Sequence, residues 1–136
     1  MATVRYPIVG MFYRPPAQAL VDNLPAGTSL YIVAEPDNHA DPNAIAVYLP
    51  LTQLDSLPEN IDDFLQMSGN TREDLKSDGF DIQLGYIPKH MAAKFKSLGF
   101  HNQAKVFGIF GFGSDGGPRI IFDAEPYDLA RNGLTV

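Results

Sequence analysis

Short runs of apolar, β-branched and aromatic residues recur along the chain, and turn-forming residues separate them. This pattern is typical of β-strands rather than of long helices. It predicts six strands, at residues 4–13, 29–35, 44–49, 81–87, 103–112 and 119–124. Short strands with frequent turns between them favour a protein that is mostly β, with an antiparallel β-barrel of about six strands.

Helical spacing of apolar residues replaces the strand pattern in two short regions of the predicted barrel. Residues 17–24 predict a helical turn before the second strand. A second helix is expected to start at Pro88, because proline favours the first helical turn, and to end at Gly99. The apolar side chains that this helix is expected to bury are Met91, Phe95 and Leu98.

Residues 50–80, here called the acidic segment, differ from the rest of the chain in composition. Their apolar positions predict one or two small helices, with N-caps at Asn60 and Thr71. We interpret the segment as a helical insertion in a single domain that spans residues 1–136, since about 30 residues cannot bury a core of their own. Its acidic side chains are Asp55, Glu59, Asp62, Asp63, Glu73, Asp74 and Asp78.

The charge of the chain is unevenly distributed. The net charge is −6, and the acidic segment, with seven acids against Arg72 and Lys76, accounts for −5 of it, so that −1 remains for all other residues. A net negative charge opposes binding to nucleic acid, because contacts with phosphates supply most non-specific affinity. Residues 82–114, however, contain four lysines and no Asp or Glu, which allows a local basic surface on this acidic protein.

Cysteine content and hydropathy exclude several kinds of protein. The chain has 136 residues and no cysteine, which excludes disulfide frameworks and thiolate zinc sites. No stretch approaches the roughly 18 to 20 apolar residues that span a bilayer, and the N-terminus lacks the pattern of a secretory signal. We therefore expect a cytoplasmic protein without a membrane partner.

Two motifs invite a ligand-binding interpretation, and a turn explains each of them better. Residues 37–43 alternate oxygen and nitrogen ligands, but Pro42 and Tyr48 occupy the positions where a calcium loop has glycine and a bidentate acid. Residues 111–117 are rich in glycine but lack the lysine and the following helix of a phosphate-binding loop. Because no arrangement of nucleophile and base is recognisable elsewhere, we expect a non-catalytic protein without a cofactor or a bound metal.

Three motif segments in a fixed order carry the most specific signal. The first is Val9-Gly-Met-Phe-Tyr13, the second is Glu35-Pro-Asp-Asn-His-Ala-Asp-Pro-Asn-Ala-Ile-Ala-Val47, and the third is Gly85-Tyr-Ile-Pro-Lys89 before an alanine-bearing helix. Together they resemble the HIRAN domain family over roughly residues 5–110, with the acidic segment as an interruption. The family includes domains of DNA-remodelling helicases and isolated bacterial or phage proteins, and the chain resembles the isolated form.

The resemblance implies an OB-like barrel that binds the 3′ end of single-stranded DNA. On the family pattern, Tyr13 stacks on the terminal base, and Asp41 accepts a hydrogen bond from the free 3′-hydroxyl. Tyr86 follows the glycine of the third motif, and Lys89, at the expected start of a helix, could meet a phosphate. The pattern also aligns Phe107, loosely, with an aromatic residue of the binding site.

Two positions depart from the family pattern. Phe12 stands where the family has an arginine, although Arg14 follows two residues later, and Ala40 stands where the family has an aromatic residue. Both departures weaken the expected DNA-end pocket, in which we include Arg14 and Asn38. An alternative role for Asn38 and Asp41 is to build the loop itself, because Asn and Asp side chains bond to nearby backbone amides.

Two functions therefore remain open. The first is a module that binds single-stranded DNA or DNA ends. The second is a phage-encoded protein-interaction factor, or an inhibitor of a host protein, that uses the acidic segment as a mimic of DNA. The presence of Tyr13 and Asp41 favours the first function, whereas the net charge and the altered pocket favour the second.

Overall fold

The structure, a computed structural model, describes residues 3–10, 15–100 and 104–132. These described residues contain six β-strands: β1 (Val4–Pro7), β2 (Ser29–Ala34), β3 (Ile45–Leu49), β4 (Ile82–Tyr86), β5 (Val106–Phe112) and β6 (Pro118–Phe122). Neighbouring strands pair antiparallel in the order β1-β6-β5-β2-β3-β4. The sheet curls into a half-barrel, which confirms the predicted mostly β architecture and is consistent with an OB-like fold.

A backbone bridge links the two edge strands of this curled sheet. β1 pairs with β6, but the chain then turns to β4, where Val9 forms an isolated bridge with Tyr86. The Val9 amide donates to the Tyr86 carbonyl at 2.9 Å, and the Tyr86 amide donates to the Val9 carbonyl at 2.8 Å. Gly85 makes this approach possible, since a Cβ there would lie 2.3 Å from the Val9 carbonyl oxygen.

The first strand is shorter than the sequence predicts. It ends at Pro7, because the chain exchanges β6 for β4 as its hydrogen-bonding partner within the next two residues. Gly10 follows with a φ of 83°, a left-handed conformation that glycine adopts without strain. Residues 11–14, which hold the end of the predicted strand, lie outside the described residues.

Five α-helices and a 3₁₀ helix occur in the described part of the chain. They are α1 (Pro15–Asn23), the 3₁₀ helix (Leu51–Ser56), α2 (Asn60–Met67), α3 (Arg72–Asp78), α4 (Lys89–Ser97) and α5 (Pro126–Arg131). The helices predicted near residues 17–24, in the acidic segment and after Pro88 are therefore present. The sequence analysis missed α5.

Of the two predicted N-caps, one is confirmed and the other is wrong. The Thr71 hydroxyl accepts from the Asp74 amide at 3.1 Å, and the Asp74 carboxylate accepts from the Thr71 amide at 3.2 Å, which completes a capping box at α3. Asn60 is instead the first residue of α2. Glu59 holds the N-cap position, without a hydrogen bond from its side chain.

The buried face of α4 differs from the prediction, since Ala92 is fully buried and Met91 is only partly buried. Phe95 is buried as expected, but Leu98 lies beyond the last helical turn and is 42% exposed. Gly99 has a φ of 88° and turns the chain there. Phe100 consequently packs on Phe95, with 5.9 Å between the ring centroids, and takes the place expected for Leu98.

The acidic segment shares one hydrophobic core with the sheet. Its buried side chains are Leu54, Leu57, Ile61, Leu65 and Leu75. Arg72 connects its parts, since the guanidinium donates to the Asp62 carboxylate at 2.7 Å and to the Leu54 carbonyl. The segment is thus a packed part of the structure, with its charged residues on the outside.

Candidate functional site

The loop between β2 and β3 is built by its own polar side chains. The Asn38 side-chain oxygen accepts from the amides of Ala40 and Asp41, at 3.0 and 3.1 Å. The Asp41 carboxylate accepts from the Asn43 amide at 3.0 Å. A backbone bond from the Glu35 amide to the Ala44 carbonyl, 2.8 Å long, closes the loop at its base. The loop-building role expected as an alternative for Asn38 and Asp41 is therefore present.

Asp41 keeps further hydrogen-bonding capacity in this arrangement. Its Oδ1 accepts the bond from Asn43, and no donor from the described residues lies on Oδ2. An ionised carboxylate accepts bonds at both oxygens. Loop construction and ligand binding are thus compatible roles for Asp41.

A groove of about 470 Å³ separates this loop from the end of β4. We call it the loop groove; its lining residues are Ala34, Glu35, Pro36, Asp37, Asn38 and Tyr86. Two predicted site residues, Asn38 and Tyr86, come from different motif segments and meet here. The first motif segment reaches the same place, because a Cβ on Gly10 would lie 3.6 Å from the Tyr86 ring.

Lys89 lies next to the loop groove in sequence, at the start of α4. It is exposed and is the first residue of that helix, three positions after Tyr86. Its ammonium group and the partial positive charge of the helix N-terminus both favour an anion. The other lysines of α4, Lys94 and Lys96, are exposed as well.

Phe107 belongs to a different part of the surface. Its ring packs on Tyr31 at 5.2 Å between centroids, and Tyr31 stacks on Tyr48 at 5.4 Å with an interplanar angle of 13°. These three residues, which we call the aromatic row, pair across β5, β2 and β3 on the outer face of the sheet. The inner face of the same strands carries the core residues Leu30, Ile32 and Val47.

A hydrogen bond fixes the centre of the aromatic row. The Tyr31 hydroxyl donates to the Asp81 carboxylate at 2.6 Å, and the Leu51 amide donates to the other carboxylate oxygen at 2.8 Å. Burial raises the pKa of the Tyr31 phenol well above its ordinary value, and the hydrogen bond to Asp81 raises it further. Tyr31 therefore remains a neutral donor, and the acidic segment is anchored to the sheet.

The structure brings some of the predicted site residues together and separates others. Asn38 and Tyr86 share the loop groove, and Asp41 belongs to the loop that forms it. Phe107 is on β5, three strand spacings or about 14 Å from β4 and its Tyr86. Two further predicted residues, Tyr13 and Arg14, lie outside the described residues.

The aromatic row also contains residues that the sequence analysis did not select. Tyr31 and Tyr48 each occupy outward positions of strands that were predicted correctly. Alternation along a strand indicates which face a side chain occupies. It does not give the register between strands, and the register is what places these rings beside Phe107.

The described residues offer no candidate for a metal centre or a membrane-spanning helix. No group of three or more His, Asp or Glu residues in these ranges could hold a metal ion. Nor does any helix there have the length and apolarity needed to cross a membrane.

Comparison with known proteins agrees with the motif segments. The model of the HIRAN domain family matches residues 1–115, a range that includes all three motif segments and the loop groove. No curated protein and no solved structure matches the chain. The family is generally associated with DNA binding. Since the match covers most of the 136 residues, the chain belongs to the HIRAN domain family.

Proposed function

We propose that the protein is a non-catalytic module that binds single-stranded DNA at its 3′ end, in the loop groove. The observation that carries the proposal is the meeting of Asn38 and Tyr86 in one groove beside the Asp41 loop. DNA binding is the association of the family, and the 3′ end is the ligand implied by the motif resemblance.

Residues in and beside the loop groove have distinct chemical roles in this proposal. Tyr86 offers an aromatic ring to a base, and base stacking on such rings contributes about 1–3 kcal/mol. Asp41 accepts a hydrogen bond from the terminal hydroxyl, through the oxygen that the loop does not use. Lys89 pairs with a phosphate near the helix N-terminus. The motif resemblance adds Tyr13 and Arg14 to the residues proposed to bind the DNA.

The test compares two oligonucleotides that differ in their 3′ terminus. A phosphate at that position removes the hydroxyl donor and places negative charge against Asp41. We expect a competition titration to show tighter binding of the 3′-hydroxyl form, and the recovered oligonucleotide to be chemically unchanged. Equal affinity for the two termini would contradict end recognition, and a shortened or modified oligonucleotide would contradict a purely binding role.

A pair of variants assigns the discrimination to Asp41. Asp41→Asn keeps an acceptor for the Asn43 amide but removes the charge, so the preference for the 3′-hydroxyl form should fall toward parity. Asp123→Asn makes the same change in charge at an exposed position after β6 and should keep the preference. A preference retained by Asp41→Asn would leave this residue with the loop-building role alone.

A further inference from the structure

An exposed aromatic side chain lies at the end of the acidic segment, beside the aromatic row. Gly79 terminates α3 in a left-handed conformation with a φ of 74°, a common end of helices that redirects the chain. Phe80 follows and is 78% exposed, although it is a large hydrophobic residue. Asp81 then joins Tyr31 through the hydrogen bond described above. Phe80 is thereby held at the edge of the sheet without being buried by it.

A second groove, of about 650 Å³, lies between Phe80 and the outer face of the sheet. We call it the aromatic groove; its lining residues are Tyr31, Val33, Tyr48, Gly79, Phe80, Asp81, Gln83 and Lys105. Three of these residues are aromatic. Lys105 is exposed, and its ammonium lies 5.1 Å from the centroid of the Tyr31 ring.

An unpaired amide adds a polar feature to the aromatic groove. Gln83 lies opposite Tyr48 on β4, and its side-chain nitrogen is buried without a hydrogen-bond acceptor in the described structure. A buried donor without a partner is unfavourable by about 1–3 kcal/mol. The carbonyl oxygens and ring nitrogens of a nucleobase are acceptors that such a donor could use after a small rotation of the side chain.

We propose that the aromatic groove is a second contact surface for single-stranded DNA, which holds a nucleobase against Phe80 and Tyr48 with a phosphate at Lys105. Tyr31, which is only 5% exposed, supports Tyr48 by stacking on it. The occupant is inferred from the combination of ring faces, an amide donor and a cation, which matches the base and the phosphate of one nucleotide. The proposal rests on the proposed function, since it assigns nucleotides that precede the 3′ end to this surface.

The position of the aromatic groove supports its use by the same strand of DNA. Val33 lines the aromatic groove, and its neighbour Ala34 lines the loop groove. On β4, Gln83 and Tyr86 line the two grooves, which places them three residues or about 10 Å apart. Their partners on β3, Ala46 and Tyr48, are two residues apart and share one face of the sheet, so a single strand that follows β4 from the loop groove reaches the aromatic groove within a few nucleotides.

The experiment compares the affinity of a dinucleotide, which fills the loop groove alone, with that of an oligonucleotide of about 12 nucleotides, a length within the range of site sizes for OB folds. Phe80→Ala and Lys105→Gln should each weaken binding of the long oligonucleotide, by about 5- to 150-fold for Phe80→Ala. Both should leave binding of the dinucleotide and the preference for a 3′-hydroxyl unchanged. Phe112→Ala removes another exposed ring, at the far end of β5 and 47% exposed, and should alter neither affinity.

The outcomes separate this inference from the proposed function. The second surface would be overturned if Phe80→Ala left the affinity for the long oligonucleotide unchanged. It would also be overturned if the variant weakened binding of both lengths to the same extent. A 3′-hydroxyl preference that survives in that case would leave the proposed function intact. Conversely, a length-dependent loss without any 3′ preference would support the aromatic groove and refute end recognition. Melting temperatures close to that of the unsubstituted protein would exclude misfolding as the cause, as expected for an exposed side chain.

Discussion

Gly85 is the residue on which the closure of the half-barrel and the position of Tyr86 both depend. The backbone of Val9 approaches it so closely that a Cβ would also lie 3.2 Å from the Ile8 side chain. Gly85→Ala should therefore push the two edges apart and lower the free energy of unfolding by roughly 1–3 kcal/mol, the usual effect of overpacking. Urea denaturation measures this change, and an unaltered unfolding midpoint would show that the Val9–Tyr86 bridge contributes little to stability.

Asn38 shows how far residue roles follow from the sequence. The turn-forming residues around it predicted a loop, and the capacity of Asn to bond to local amides predicted what it does there. The aromatic row was not predicted, because it depends on the register of three strands. Phe80 was not predicted as a site residue, because its exposure depends on the left-handed turn at Gly79. The sequence does not indicate where the side chain after such a turn points.

The bonds of Asn38 predict the effect of its removal. Asn38→Ala deletes the acceptor for two backbone amides, so the free energy of unfolding should fall by about 1–2 kcal/mol. Oligonucleotide affinity should fall with it, because the loop then has more conformations to lose on binding. His39→Ala, an exposed neighbour in the same loop, is the control and should change neither quantity. Full stability of Asn38→Ala in chemical denaturation would refute the loop-building role.

At the scale of elements, the acidic segment is more than a carrier of charge. Leu65 of α2 is completely buried in the common core, and α2 also packs near α1. Leu65→Ala should lower the free energy of unfolding by about 2–5 kcal/mol, the range for large cavities in cores. Met67→Ala, two residues later and 83% exposed, should have little effect. A tolerated Leu65→Ala in thermal unfolding would show that the segment detaches easily.

Deletion of the acidic segment is a stronger test of the same packing. Loop closure depends weakly on length, so a glycine linker in place of residues 50–80 would be tolerated if the segment were a solvated insertion. The structure leads to the opposite expectation, since the deletion removes five buried side chains. It also ends directly before Asp81, the hydrogen-bond partner of Tyr31. We expect loss of cooperative unfolding in circular dichroism; a cooperative transition would argue against one shared core.

The elements that the sequence analysis missed or misplaced have a common physical reason. α5 has six residues, too few for a periodic pattern, and is held by the contact of Tyr6 with Glu125 and by packing of Leu129 on the core. The first strand was extended too far because Val9 remains in β-like pairing, but with β4 instead of β6. Hydrophobic alternation predicts that a residue is in a strand, whereas a change of partner depends on the curl of the whole sheet.

At the scale of the whole molecule, the charge distribution predicts a weak dependence of DNA affinity on salt. The protein is acidic, and the proposed phosphate contacts are few, with Lys89 and Lys105 the two in the described structure. Each phosphate contact with a single strand contributes about −0.7 to the slope of log K against log salt. Lys89→Gln should reduce the magnitude of the slope by about 0.7, whereas Lys76→Gln, which lies in α3 beside Asp55, should not. An unchanged slope would remove Lys89 from the interface.

The Val9–Tyr86 bridge couples occupation of the loop groove to local opening of the protein backbone. Amide protons exchange with solvent when such hydrogen bonds open locally, and a ligand that binds the closed form suppresses opening by mass action. Deuterium uptake at the amides of Val9 and Tyr86 should therefore slow as an oligonucleotide fills the groove. Uptake in α3, within the acidic segment, should keep its rate. The exchange rate at the Val9–Tyr86 bridge would then report whether the loop groove is occupied, without any label on the DNA.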